Sequence, residues 1–359
     1  MNRHLLIVFA AVTTAPALVF VLAYPAPAIT HAAPLPQTNR EYPILLIPLA
    51  GPVSSRDAEI SGMAWSDDHL ILLPQYPDRF QSSSPVPADG ALFLVPKSEL
   101  LAFIAGDLKD PLTPTPIPFF APDLRQRVPG FEGFESVVTI GEKIFMTIEA
   151  RQPNGMLGYL VSGTIAPDLS AVHLNTERLA PIDQPVALDN MSDESLLSAD
   201  ENLISLFEAN GFNVNHQPVA HVFNTALTSL GTLPFPNIEY RITDATSLDA
   251  DKRFWAINYL YPGDIEKLDP ARDGLAERFG DGPTHAQYQT VERLVEFQYG
   301  STGIVLTDTP PIQLQLLDDQ NSRNWEGIVR LDNRGFLLVT DKFPMTMLGF
   351  VAYPKRIFG

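Results

Sequence analysis

The chain has 359 residues, and its 42 acidic against 24 basic residues leave a formal charge of -18. That charge repels a phosphate backbone, which excludes general nucleic-acid binding, and it favours cations. There is no cysteine, so disulfides, thiolate metal sites and cysteine nucleophiles are excluded, while 45% hydrophobic and 18% charged residues predict a large packed core.

The first element in chain order is an export signal. Arg3 precedes the apolar run LLIVFAAVTTAPALVFVLAY, and Ala26 and Ala28 form an Ala-x-Ala cleavage site, with a second possible cut after Ala32. The boundaries predicted are a signal peptide over 1–28, a proline-rich linker over 29–40 and a folded domain over 41–359. The domain is then secreted, periplasmic or held at the cell surface. The apolar run is also long enough to span a bilayer, and an uncleaved anchor is the single route to a membrane.

Five segments then share one layout: SGMAWSDDHLILLPQ from Ser61, ESVVTIGEKIFMTIE from Glu135, ESLLSADENLISLFE from Glu194, ATSLDADKRFWAINY from Ala245 and EGIVRLDNRGFLLVTD from Glu326. Each is a small or acidic start, an apolar strand, a polar turn and a second apolar strand, which is a β-hairpin. Two further strand-like segments follow each of the first four hairpins, among them GALFLVP, MLGYLVSG, PVAHVFN and VERLVEFQY. Four strands per repeat is a propeller blade. The fifth hairpin is followed only by MLGFVAYP, and YPILLIPLA at Tyr42 to Ala50 has no hairpin of its own. The prediction is therefore an all-β, five-bladed β-propeller closed by an N-terminal strand. A sixth, degenerate blade between Ala245 and Glu326 and a β-sandwich are the alternatives. The polar insertion from Asp264 to Ala286, with a short helix, is expected beside a site.

In a propeller the first residue of each innermost strand faces the central tunnel. That column reads Ser61, Glu135, Glu194, Ala245 (with Thr246 or Ser247 as oxygen donors) and Glu326. Converging carboxylates must take up protons or share a cation. Calcium suits oxygen-only ligands, so Ser61, Glu135, Glu194 and Glu326 are the expected Ca2+ ligands. The alternative is that they tie the blades together by hydrogen bonds to backbone. A second column, at the end of the second strands, reads Gln75, Glu149, Glu208, Tyr259 and Asp341, followed by Asp78, Arg79, Arg151 and Lys342. These are expected to rim one pocket, with the basic side chains clamping an anionic small molecule. No Gly-x-Ser-x-Gly, Walker or His-Glu-x-x-His motif occurs, which points to metal-assisted chemistry.

The tunnel column, WEGIVRL at Glu326 and YPDRF at Asp78 and Arg79 together resemble the calcium-activated nucleotidases, or apyrases; Ala245 departs from that family, where a serine stands. ISGMAW and WEGIV are similar to the exported phytase-like (esterase-like activity of phytase) and SdiA-regulated propellers. The resemblance implies a calcium-dependent hydrolase of phosphate esters or anhydrides. In it Arg79 and Arg151 neutralise charge, Glu149 or Asp341 positions water, and Asp78, Arg79, Glu208 and Lys342 bind substrate. The other reading is a monomeric, non-catalytic exported propeller with structural calcium that binds a ligand or an exported protein partner.

Overall fold

The computed structural model describes residues 40–80, 87–153, 155–318 and 321–354. The export signal and all of the linker except Arg40 lie outside the described residues. Among the described residues no helix is long and apolar enough to cross a membrane.

The fold is all-β and propeller-like. Every predicted hairpin forms: Ile60–Ser66 with His69–Pro74, Phe131–Ile140 with Lys143–Gln152, Ser195–Ala199 with Asn202–Leu206, Arg241–Ala245 with Arg253–Leu260, and Trp325–Leu331 with Gly335–Thr340. Asp67, Gly141 and Asp200 turn three of them at positive φ, the conformation that matches the twist of paired strands. Outer strands complete each sheet, and those of the first two meet in parallel through Val172 and Phe119. These two four-stranded units therefore read as one eight-stranded, nearly closed sheet.

The five innermost strands touch one another in cyclic order. The apolar core follows the same order in layers between successive sheets. Phe134, Ile71 and Val161 fill the first gap, Leu160 and Leu196 the second, Leu206 and Phe254 the third, Trp255 and Phe336 the fourth, and Leu337 and Leu72 the fifth. Each layer forms because strand side chains alternate between faces and both faces of every sheet are covered.

The N-terminal segment fastens this ring. Leu45–Ile47 pairs antiparallel with Leu348–Ala352, supplying the outer strand that the last sheet lacks, as the sequence predicts. Just before it, Glu41–Tyr42 pairs with Ile312–Leu314 of the fourth sheet. Just after it, Ala50 N–H donates to Leu112 O at 2.7 Å in the region of the first sheet. The insertion forms two short helices, Ile265–Leu268 and Gly274–Phe279, and it is anchored where Glu41 accepts from Thr284 N and His285 Nδ1 at 2.7 and 2.9 Å.

Because Ile47 of the closing strand is fully buried in the core layer with Leu348 and Phe350, Ile47→Ala should cost about 2–5 kcal/mol in urea unfolding. A loss below about 0.5 kcal/mol would show that this strand does not hold the ring.

Candidate functional site

Bulges aim side chains at the axis of the ring. Register shifts fall between Ile60 and Gly62, Phe134 and Ser136, Ile242 and Ala245, and Trp325 and Gly327. In the third sheet the ladder slips in the same place, since Glu208 N–H donates to Ser192 O while Ser195 pairs with Leu206. An extra residue at a bulge is turned out of the alternation, and here it meets its counterparts from the other sheets. Ser61, Glu135, Glu194 and Glu326 are the residues so placed.

The fourth sheet corrects the predicted column. Its bulge falls on Thr243 and Asp244: Thr243, whose hydroxyl donates to Trp325 O as that of Ser61 does to Phe134 O, takes the column position instead of Ala245, and Asp244 takes the next one, beside Ser136. The Asp244 carboxyl accepts from the Ser136 hydroxyl at 3.2 Å and from Ile328 N–H at 2.8 Å, joining the second, fourth and fifth sheets. Thr246 instead hydrogen-bonds Trp255 and Ser247 along its own hairpin, and Ala245 packs in the core.

A cavity of about 600 Å³ is lined by Gln75, Tyr76, Glu135, Glu149, Glu194, Arg241, Tyr259, Tyr261, Asn324, Glu326, Asp341, Lys342 and Phe343 among others. The inserted segment supplies part of its wall through Asp264 and Lys267. Arg241, which the sequence reading did not single out, is its hub. Its guanidinium bonds Glu208, lies 3.4 Å from Glu194 and 3.8 Å from Glu326, and donates to Asn324 Oδ1 at 3.3 Å.

One guanidinium cannot neutralise this many acids. Burial first, and then the charges of Glu149, Glu194 and Glu326, push the Glu135 carboxyl well above the usual range. Burial, with the charges of Glu194 and Glu132, moves Glu149 up to about 8. Burial moves Glu194 up to about 7, even though Arg241 pulls it down. Burial and Asp341 raise Glu326 strongly, and burial raises Asp341. Near neutral pH the pocket therefore holds protonated carboxyls beside an arginine-held carboxylate.

The predicted site residues divide. Glu135, Glu149, Glu194, Glu326, Asp341 and Lys342 are brought together at the cavity. Glu208 is fully buried behind it on Arg241. Ser61 donates its hydroxyl to Phe134 O at 2.6 Å and does not line the cavity. Arg79 turns onto Glu59 at 2.9 Å and stacks on the Tyr76 ring, and Arg151 pairs with Glu132 at 2.7 Å and with Asp189. Asp78 pairs with Arg125 beside a different cavity. The calcium ligand set was expected to close on one point. Glu194 and Glu326 instead turn to Arg241, and among the described residues no three acids or histidines converge as a metal cage. These residues, so arranged, do not fit the ion, and no chemical step below passes through it.

A carboxyl whose folded-state pKa exceeds its unfolded value favours the fold while protonated. Its contribution is whole below about 4.5 and is lost as pH rises through about 7 for Glu194 and about 8 for Glu149. Thermal stability should therefore fall between pH 5 and pH 8 in wild type and fall less in Glu149→Gln. A flat wild-type profile would contradict these shifts. Arg241→Met, which strips the cation from buried acids, should cost about 3–5 kcal/mol, measured by urea unfolding at neutral pH.

No family model and no curated protein matches the chain. Solved structures similar in architecture include a glycosyl hydrolase from Bacteroides ovatus, with 10% identity, TM-score 0.48, and 89% of this chain and 95% of that one covered. Another belongs to the GH130 family of mannoside phosphorylases, with 9% identity, TM-score 0.45, and 84% and 85% covered. A third is a putative glycoside hydrolase from Parabacteroides distasonis, with 12% identity, TM-score 0.44, and 92% and 96% covered. These structures are not phytases or apyrases, and at such identities they assign no residue role here. The phosphate-hydrolase expectation is overturned by the site itself: both arginines meant to clamp an anion point into other ion pairs, and the cavity is rich in carboxyls. The calcium-braced binding propeller is set aside as well, since Arg241 is the cation that braces the acids.

Proposed function

We propose that the cavity is the active site of a carboxyl-based hydrolase acting on a glycoside. The observation that carries this reading is the placement, in one cavity, of Glu194 at 3.4 Å from the Arg241 guanidinium and of Glu149, buried and, among the described residues, without an ion-pair partner. Glycosidic cleavage needs two carboxyl groups in opposite protonation states, one to protonate the leaving oxygen and one to act at the sugar carbon or on water. Glu149 is the acid, its proton held by burial. Glu194 is the base or nucleophile, kept lower by the guanidinium beside it.

The walls suit such a substrate. Tyr76, Tyr259, Tyr261 and Phe343 offer apolar faces for a sugar ring, while Gln75, Asn324 and the carboxyls take its hydroxyl groups. Tyr261 and Phe343 are the exposed members, 47% and 46% accessible, and Arg56 stacks on the Phe343 ring. In this reading the ring has five blades, supported by the five innermost strands in cyclic contact, and the enzyme is exported by its N-terminal 28 residues.

A panel of aryl glycosides and oligosaccharides tests the reading. Activity should rise with pH through about 7 as Glu194 ionises and fall through about 8 as Glu149 loses its proton. Glu149→Gln and Glu194→Gln should each lower kcat/KM by roughly 10²–10⁴, with an activated aryl leaving group rescuing only the former. If no glycoside in a broad panel turns over, the reading fails.

A further inference from the structure

The charges in the cavity are balanced on one side only. Arg241 serves Glu194, Glu208 and Glu326, Lys267 lies 3.7 Å from Asp264, Lys342 lies 3.5 Å from Glu59, and Glu132 has Arg151. Glu135 has none of these. Among the described residues no lysine, arginine or histidine lies within ion-pair distance of it, although it is only 5% exposed and lines the cavity. Its Oε1 accepts from Gln75 Nε2 at 3.1 Å. The Tyr76 ring lines the same cavity, close enough that the charge of Glu135 contributes to raising its phenol to about 12.

Arg79, itself paired with Glu59, covers one face of that ring at 4.1 Å and makes no ion pair with Glu135. A buried carboxyl at a cavity wall without an ion-pair partner is half of a recognition pair, and the ring beside it adds an apolar wall. We infer that Glu135 and Tyr76 form a subsite for a primary ammonium group, so that the substrate of this pocket is an amine-bearing glycan such as a glucosamine oligomer. This rests on the glycosidase reading of the same cavity. An organic ammonium fits better than a metal ion because no three acids converge there and an aromatic wall favours a soft cation on an apolar body. Glu135 lies close enough to feel the charges of Glu149 and Glu194 but has no step in the cleavage assigned to them, so it can select substrate while they cleave it. Binding an ammonium ionises Glu135, and the proton it held leaves to solvent.

Three β-1,4-linked tetramers test this by titration calorimetry at pH 7 in buffers of different ionisation enthalpy: tetraglucosamine, its fully N-acetylated form and cellotetraose. Tetraglucosamine should bind at least about tenfold more tightly and release a proton, whereas the two neutral tetramers release none. Glu135→Gln should abolish the preference and the proton release but keep binding of the neutral tetramers, with a melting temperature at or above wild type as the check on folding. Equal affinity for all three, or a preference surviving in Glu135→Gln, overturns the inference. Turnover of neutral glycosides without amine preference defeats this inference alone, whereas amine preference without turnover of any glycoside defeats the hydrolase reading alone.

Discussion

The ion-pair hub at Arg241 is the interaction on which the rest of the centre depends. Its guanidinium reaches Glu194 and Glu208 from the third sheet, Glu326 and Asn324 from the fifth, and lies 3.9 Å from Asp264 of the inserted segment. The ring aims an acid at its axis from most sheets, and buried like charges at such range repel strongly. Arg241 makes that arrangement tolerable, but a single charge cannot complete the balance. The remainder is met by protons on Glu135, Glu149 and Glu326, so the device that holds the sheets together also stocks the cavity with acids at neutral pH.

Ring closure places that hub. Bulges repeat at the same height in successive sheets, and the aimed residues meet only because the innermost strands are held in a circle. The segment around Glu41 to Ala50 works at three places at once, completing the last sheet, pairing with the fourth and bonding Leu112 near the first. Through Glu41 it also holds His285, whose Nε2 accepts from Glu292 N–H, and the Glu292 carboxylate fixes Arg323 and Trp325 next to Asn324 and Glu326. The closing strand and the cavity are thus linked by continuous hydrogen bonding.

Much of this was legible in the chain because strands and tight turns write themselves in short range. The alternation of apolar residues and the turn residues at Asp67, Gly141 and Asp200 were enough to locate the hairpins, and Glu135, Glu194 and Glu326 fell where the repeat placed them. The fourth sheet departs from the predicted column because a bulge depends on pairing with the next strand, which local sequence does not record; Thr243 and Asp244 stand just before Ala245. Arg79 and Arg151 were misassigned for a related reason. Their positions next to cavity residues were right, but side-chain direction was decided by Glu59 and by Glu132, which stand at the start of the preceding innermost strand rather than beside the arginines in sequence. Arg241 had one available signal: a column of acids on a common axis requires a cation, and this arginine opens the innermost strand of a sheet whose predicted column lacked an acid.

The central claim is that buried carboxyls in the cavity stay protonated near neutral pH. Infrared difference spectra, titrated from pH 5 to pH 9 in wild type and in Glu149→Gln, observe the protonated carboxyl C=O band directly. The account predicts a band that persists at pH 7, fades near pH 8 and is diminished in the variant. Complete loss of the band below pH 6 in wild type would contradict it.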